Sequence, residues 1–374
     1  MTGPPSAGFV PPPYPYDRLN RLRPITEAHA GGTVDLSVGT PFDPPPQNVL
    51  DALATSGTER SYPPSVGTPA FREAAQRWMS RRFGIDVPAD QIGASIGTKE
   101  FVGTLPQWLK LRDPSRDTIL YPAISYPTYA MGATLAGCRA VPVGSLPNGG
   151  MDLGSIDDSD ADRALALWVN SPGNPTGGLE DLEAAANWGR THGVPVFSDE
   201  CYVEFTWKGP GRTILEGGLE GVVAVHSLSK RSNLAGVRAG FYAGDSELVS
   251  YLREVRKHVG LMVPGPAQAA AVAALDDDEH VELQRGRYRE RLRLLASVLS
   301  DWSGEPVAQP DGAFYLWIPV DDGWAYTEKL ARDGGALVSP GEFYGEDGAR
   351  FIRVAVVQPD DRVQLVADRL AAHG

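Results

Sequence analysis

The chain reads as an α/β protein: a mostly parallel seven-stranded sheet covered by helices, followed by a smaller α+β domain. Three observations predict this. From about residue 91, short apolar runs alternate with amphipathic stretches, the pattern of βαβ units whose strands lie parallel. After Asp245 that alternation gives way to a long helical region. A length of 374 residues, 42% of them hydrophobic and 22% charged, suffices for two domains around a large buried core.

The elements follow in order. Residues 1–16 carry Pro4, Pro5 and Pro11 to Pro13 and read as an extended arm lying on the protein. Residues 17–30 read as a short helix and 69–83 as a longer one. Strands are predicted at 91–97, 118–121, 139–143, 164–170, 195–199, 221–226 and 239–243, with helices between them, such as 179–191. The helical region spans about 246–300 and is interrupted by Pro264-Gly265-Pro266. Two further strands, 313–320 and 351–357, bracket a helix and a Gly/Pro-rich loop. There is no internal repeat.

Composition removes several classes of function. A net charge of −13 disfavours nonspecific nucleic-acid binding. Two cysteines, Cys138 and Cys201, without a C-x-x-C, give neither a disulfide framework nor a zinc site. The histidines are scattered without metal-ligand spacing, so no metal is expected. No apolar run approaches the ~18 residues that span a bilayer. The N-terminus has no basic segment followed by an apolar one, so no signal peptide is read and the cytoplasm is the expected location.

Three motifs carry chemistry. Ser227-Leu228-Ser229-Lys230 ends a predicted strand, and Arg238 follows in a Gly-rich turn. A lysine amine forms a Schiff base with an aldehyde cofactor, and hydroxyls with a guanidinium hold its phosphate. Read alone, such a segment is more often a solvated surface loop. Asn170-Ser171-Pro172-Gly173-Asn174-Pro175-Thr176-Gly177 also follows a strand. It is either a tight Pro/Gly turn or a device that projects the Asn174 amide at the carboxyl edge of the sheet, where ligands of such sheets bind. Asp199-Glu200-Cys201-Tyr202 ends the next strand. Asp199 either caps a helix or faces a pyridine nitrogen and keeps it protonated, which makes the ring an electron sink. Tyr202 and Asn174 are candidate donors to the ring's phenolic oxygen. Cys201 reads as a small packing residue, since the adjacent Glu200 raises its pKa.

As an ordered set, N-P-T-G, D-E-C-Y, S-L-S-K and R-A-G resemble the class I/II aminotransferases, fold type I enzymes dependent on pyridoxal 5'-phosphate. The resemblance covers essentially the whole chain from about residue 33. It implies an N-terminal arm and small-domain segment at 1–40, a large cofactor-binding domain at 41–260 and a small C-terminal domain at 261–374. It makes Lys230 the Schiff-base lysine and proton shuttle, with Asp199 and Tyr202 completing the catalytic set. Ser227, Ser229 and Arg238 bind phosphate, and Gly97, Thr98 and Lys99 occupy the phosphate-cradle turn. Tyr126, in a Y-P-x-Y pattern, stacks on the ring. A core tyrosine, or a solvated Lys99, is the alternative at those positions. Tyr62 reaches the phosphate of a neighbouring subunit, which implies a homodimer with shared sites. Arg353 clamps the substrate α-carboxylate, with Asn174 beside it, and Gly39 belongs to a loop that covers the substrate.

Residues 34–41 and 62–69 look most like actinobacterial N-succinyldiaminopimelate aminotransferases, which use glutamate as donor in lysine and diaminopimelate synthesis. Such an acceptor has carboxylates far from the reacting carbon. Arg18, Arg21, Arg23, Lys99 and Arg231 are candidate partners for them. The rivals are an aspartate-, prephenate- or aromatic-type aminotransferase, a carbon–sulfur β-lyase, and a cofactor-sensing regulator. The regulator would carry a DNA-binding module ahead of the domain, where this chain has a short Pro-rich, non-basic stretch.

Overall fold

The computed structural model describes residues 8–146 and 149–373. The central sheet is built from β1 (Ile92–Ser95), β2 (Thr118–Pro122), β3 (Arg139–Val143), β4 (Ala164–Asn170), β5 (Val196–Asp199), β6 (Val222–Ser227) and β7 (Gly240–Gly244). Their spatial order is β1-β7-β6-β5-β4-β2-β3. β7 runs antiparallel to β1 and β6, and the remaining pairs are parallel. Every residue of β4 to β7 is buried, as befits strands covered on both faces. Val196, Val222 and Ala224 pack with Phe71 and Trp78 of the Pro69–Phe83 helix. The alternate residues Phe197, Val223 and Val225 pack with Phe101 and Tyr129. β4, β5 and β6 end side by side at Asn170, Asp199 and Ser227, the edge where such sheets bind ligands.

The Pro69–Phe83 helix has the bounds expected. Thr68 Oγ1 accepts the Phe71 N–H at 3.2 Å, Pro69 opens the first turn, and Gly84 closes the last at φ 70°. The expected helix at 17–30 is instead a 3-10 run, Pro15–Leu22, continued by a short Arg23–Glu27 helix. Pro24 has no N–H to extend an α-helical ladder upstream. Residues 8–14 of the expected arm hold no regular structure, and 1–7 lie outside the described residues.

The helical region is three helices: Ser246–Val259, Gly265–Leu275 and Glu279–Ser303. The second break, at Asp276 to Asp278, was not foreseen. Ala267, Ala270, Ala271 and Ala274 of the Gly265–Leu275 helix bury in the core under the central sheet. We therefore propose that the domains divide at Asp276 to Asp278, not after residue 260. Beyond it, β8 (Tyr315–Pro319), β9 (Ser339–Pro340) and β10 (Phe351–Ala355) form an antiparallel sheet ordered β9-β10-β8. That sheet packs on Tyr288, Leu292 and Leu295 of the long helix. Val34–Asp35 pairs in parallel with Ala336–Leu337 in a separate two-stranded sheet, tying the segment ahead of Gly39 to the smaller domain. Among the described residues no helix is long and apolar enough to cross a membrane.

A buried ion pair braces the turn after β1. Arg256, 1% exposed at its side chain, donates to Glu100 Oε1 and Oε2 at 2.8 and 2.7 Å. Glu100 Oε2 also accepts the Ile96 N–H at 3.2 Å. Arg256→Ala leaves that carboxylate without its counter-charge. Urea unfolding should show a stability loss of about 3 kcal/mol.

Candidate active site

The carboxyl ends of β4, β5 and β6 open into a cavity of about 520 Å³. Ser227 ends β6, and its Oγ accepts the Ser229 N–H at 3.1 Å, capping the single turn Leu228–Arg231. That turn carries Lys230 into the cavity wall, where Nζ donates to the Gly39 carbonyl. Desolvation in the cavity lowers the amine from its ordinary 10.5 to about 8, and the nearby guanidiniums of Arg353 and Arg238 act in the same direction.

Asp199 ends β5. Burial pushes its carboxyl up, against the Cys201 N–H donated to Oδ1 at 3.2 Å and the Tyr129 hydroxyl donated to Oδ2 at 3.0 Å. Asn170, at the end of β4, donates Nδ2 to the Asp199 carbonyl at 2.8 Å. Its Oδ1 accepts the Asn174 N–H at 2.8 Å, so one amide sets both the Asp199 strand end and the Asn174 turn.

Arg353 arrives from the smaller domain. On β10 its neighbours Ile352 and Val354 bury in that domain's core, and the alternation sends Arg353 to the cavity. It is 1% exposed. Nη1 donates to Asn174 Oδ1 at 2.8 Å and Nη2 to the Ser37 carbonyl, while Nε has no partner among the described residues. Burial alone would lower its pKa; the tyrosines around it, Tyr16, Tyr344, Tyr315 and Tyr202, outweigh that and raise it. Tyr202 shares a 2.8 Å hydrogen bond with Tyr315. Gly39 fits because a Cβ there would overlap the Tyr315 hydroxyl.

At the other end Gly97, at φ 74°, leads into the Thr98–Arg112 helix. A Cβ at Gly97 would strike the Arg238 guanidinium, which donates to the Ile96 carbonyl at 3.2 Å and the Ala235 carbonyl at 2.8 Å. Thr98, Ser227, Ser229 and Arg238 all line the cavity. A helix N-terminus, three hydroxyls and a guanidinium form a donor set suited to a phosphate. Lys99 donates to the Tyr14 hydroxyl at 3.4 Å and lies 5.6 Å from the Tyr126 ring centroid.

The cavity thus gathers Gly39, Thr98, Lys99, Tyr126, Asn174, Asp199, Tyr202, Ser227, Ser229, Lys230, Arg238 and Arg353. Gly97 borders it through Arg238. Tyr62 does not join them: it is 93% exposed on this chain. Of the five cationic candidates for a distal anion, Lys99 lines the cavity and the others are engaged elsewhere. Arg18 pairs with Glu342, Arg21 with Glu328 and Arg23 with Asp35. Arg231 is buried against Glu204 at 3.1 Å and Asp278 at 2.9 Å. The turn that points Lys230 into the cavity points its neighbour away. The Cys201 thiol is raised, but by burial and then Asp199; Glu200 is not the cause expected.

Sequence reasoning missed Tyr14, Tyr16, Tyr129 and Tyr315, all in the cavity wall. Tyr129 had a signal, standing one helical turn after Tyr126. Tyr315 had none, since its role depends on Gly39 from the opposite end of the chain.

The profile of the family "aminotransferase class I and II" matches residues 32–370. The chain is 41% identical to the 4-dedimethylamino-4-oxo-anhydrotetracycline transaminase OxyQ of Streptomyces rimosus, over 96% of this chain and 99% of that one. It is 33% identical to an LL-diaminopimelate aminotransferase of Aquifex aeolicus, over 96% of each chain. A solved structure of a probable N-succinyldiaminopimelate aminotransferase from Thermus thermophilus superposes with a TM-score of 0.86 at 29% identity, covering 96% of this chain and all of that one.

The depressed Lys230 amine has a direct readout. A group at about 8 is half neutral there, whereas an ordinary lysine is almost fully protonated. Trinitrobenzenesulfonate labelling of Lys230, followed by peptide mapping, should rise with pH through about 8. A midpoint near the ordinary lysine value would contradict the desolvated setting.

Proposed function

Because the chain belongs to the class I and II aminotransferases, a family dependent on pyridoxal phosphate, we propose that its cavity holds that cofactor and transfers an amino group between glutamate and a 2-oxo acid, most specifically N-succinyl-2-amino-6-oxopimelate. The observation that carries the reading is a lysine amine near pKa 8 sharing one cavity with a buried aspartate and two arginines.

The residues fit the cofactor. Thr98, Ser227, Ser229 and Arg238 are donors for its phosphate, with Gly97 opening the helix N-terminus toward it. Asp199 would be the counter-charge for its ring nitrogen, Asn174 and Tyr202 would be donors to its ring oxygen, and Tyr126 would supply a stacking face. Lys230 is its point of covalent attachment. When bound, pyridoxal phosphate draws electrons from the substrate α-carbon.

The chain's own residues do the rest. Arg353 binds the α-carboxylate, with Asn174 and the Ser37 carbonyl holding the guanidinium in place. Lys230, its pKa lowered to about 8, takes a proton from the substrate α-carbon and returns it in the second half-reaction. The Tyr129 hydroxyl and the Cys201 N–H favour the charged form of the Asp199 carboxyl beside the reacting system, against the burial that raises its pKa. Lys99 is left for a distal carboxylate, and this supports a dicarboxylic acceptor and a role in diaminopimelate and lysine synthesis. The relatives named for diaminopimelate substrates lend the same support. Tyr62, so exposed on the single chain, supports a homodimer in which it reaches the partner's cofactor phosphate.

A second reading rests on the 41% identity to a transaminase whose name specifies an oxo-anhydrotetracycline. The tyrosine-rich wall of Tyr14, Tyr16, Tyr126 and Tyr315 favours a bulky planar oxo compound on that reading.

Lys230→Ala should abolish turnover and the visible absorbance of the bound cofactor; normal turnover in that variant would refute the assignment. Comparing kcat/KM across acceptors separates the substrates. The succinylated oxopimelate should lead, with Lys99→Met reducing its kcat/KM about tenfold to a hundredfold and leaving pyruvate unaffected. Preference for oxaloacetate, an aromatic oxo acid or an oxo-anhydrotetracycline would each displace it.

A further inference from the structure

Lys230 is fixed from two sides. Its backbone belongs to the turn that continues through Asn233, and its Nζ donates to the carbonyl of Gly39, in the segment that runs on to Asp43. The two segments are far apart in sequence and meet at one side chain. Gln284, 2% exposed on the Glu279–Ser303 helix, donates Nε2 to Asp43 Oδ2 at 2.8 Å. Its Oε1 accepts from Asn233 Nδ2 at 3.2 Å. We propose that Gln284 is a positioning residue for catalysis: its buried amide sets the Gly39 segment and the Lys230 turn in register with each other. This rests on the reading of Lys230 as the reacting lysine.

The surroundings make Gln284 a junction, not an incidental contact. Asp43 is clamped by Arg291 of the same helix, with Nη1 and Nη2 at 2.6 and 2.9 Å from its two oxygens. Arg291 Nε reaches Asp360 at 2.6 Å. Toward the start of the helix, Asp278 binds Arg231 at 2.9 Å and His280 binds Ser232 at 2.9 Å. The three residues after Lys230 are thus fastened to this helix and its N-cap Asp278, and the segment bearing Gly39 is fastened to the same helix. A buried amide is costly without partners, so an apolar residue would serve better here if packing were the whole role. The amide of Gln284 holds one partner from each segment, and its Oε1 also accepts from Arg287 Nη1 of its own helix at 3.3 Å.

Displacing a reacting group by about 1 Å can cost a hundredfold in rate, so a partial loosening should be visible. Gln284→Leu keeps the volume and removes the hydrogen bonds to Asp43 and Asn233, together with the one Gln284 accepts from Arg287 Nη1 at 3.3 Å. Asn233 has φ 56°, a conformation glycine adopts without strain, so Asn233→Gly removes the amide and spares the backbone. Each variant should lower kcat about tenfold with donor KM within about twofold. Each should also shift the pKa of the bound cofactor's visible absorbance by about half a unit or more, because the amine's surroundings change. The double variant should be no worse than the more severe single one, the mark of two residues acting through one link.

The decisive experiment is a pH titration of that absorbance in wild type, Gln284→Leu, Asn233→Gly and the double variant. Borohydride reduction and peptide mapping of the wild type run alongside. If the reduced adduct maps to Lys230 and the variants keep the wild-type pKa and kcat, the positioning role is overturned while the reading of Lys230 stands. If the adduct maps elsewhere, both fall. Should Gln284→Leu fail to fold, Asn233→Gly decides the question alone, since its backbone is retained.

Discussion

A charged amine loses hydration when it enters an apolar wall, and this molecule places one at the end of a fully buried strand. The loss is tolerated because Lys230 can shed its proton near pH 8 and because the Gly39 carbonyl accepts from Nζ. Much of the surrounding architecture follows from that requirement. β6 must run buried up to Ser227 so that the turn can emerge rigidly capped. The Gly39 segment must be held against the cavity, and its parallel pairing with Ala336–Leu337 and the Asp43–Arg291 clamp do this from both ends.

Charge placement is correspondingly sparse. Glu200, next to Asp199 in sequence, points to the other face of the sheet, and burial pushes its carboxyl up to about 8. His226, next to Ser227, is pushed down to about 3 by the same cause. Both are therefore uncharged near neutral pH, and neither adds a field beside the lysine. The ionisable groups lining the cavity at the strand ends include Asp199, its carboxyl pushed up by burial, with Lys230, Arg238 and Arg353. Strand alternation accomplishes this sorting: Asp199 and Glu200 differ by one residue and so by one face.

The same alternation explains why so much could be read in advance. Functional residues that end a strand carry turn chemistry beside them: Pro and Gly around Asn174, Ser around Lys230, Gly before Thr98. The order of the strands then brings those ends together, so local motifs sufficed for the core of the site. What stayed illegible depends on pairs distant in the chain. Tyr315 meets Gly39, and Gln284 meets Asp43 and Asn233, with nothing local to mark them. Arg231 misled because adjacency to Lys230 is no guide to direction in a tight helical turn. The break at Asp276 to Asp278 lacks the Gly and Pro that announced the earlier one. Its aspartates bind Arg77, Arg81 and Arg231, side chains whose proximity is tertiary.

Arg353 shows how a site shared between two domains can be ready without being satisfied. A guanidinium has five N–H donors in one plane. Asn174 of the larger domain and the Ser37 carbonyl take one each from Nη1 and Nη2. Tyr315 and Tyr344 lie 4.3 and 4.8 Å from the guanidinium carbon at their ring centroids. Donors remain on the edge that includes the unpartnered Nε. A buried donor without a partner is unfavourable, by about 1–3 kcal/mol. We propose that a substrate carboxylate binding along this edge relieves that cost. On that proposal, Asn174 and Ser37, which hold the guanidinium from opposite sides of the domain boundary, orient it before the carboxylate arrives, and the binding free energy need not be spent on turning it.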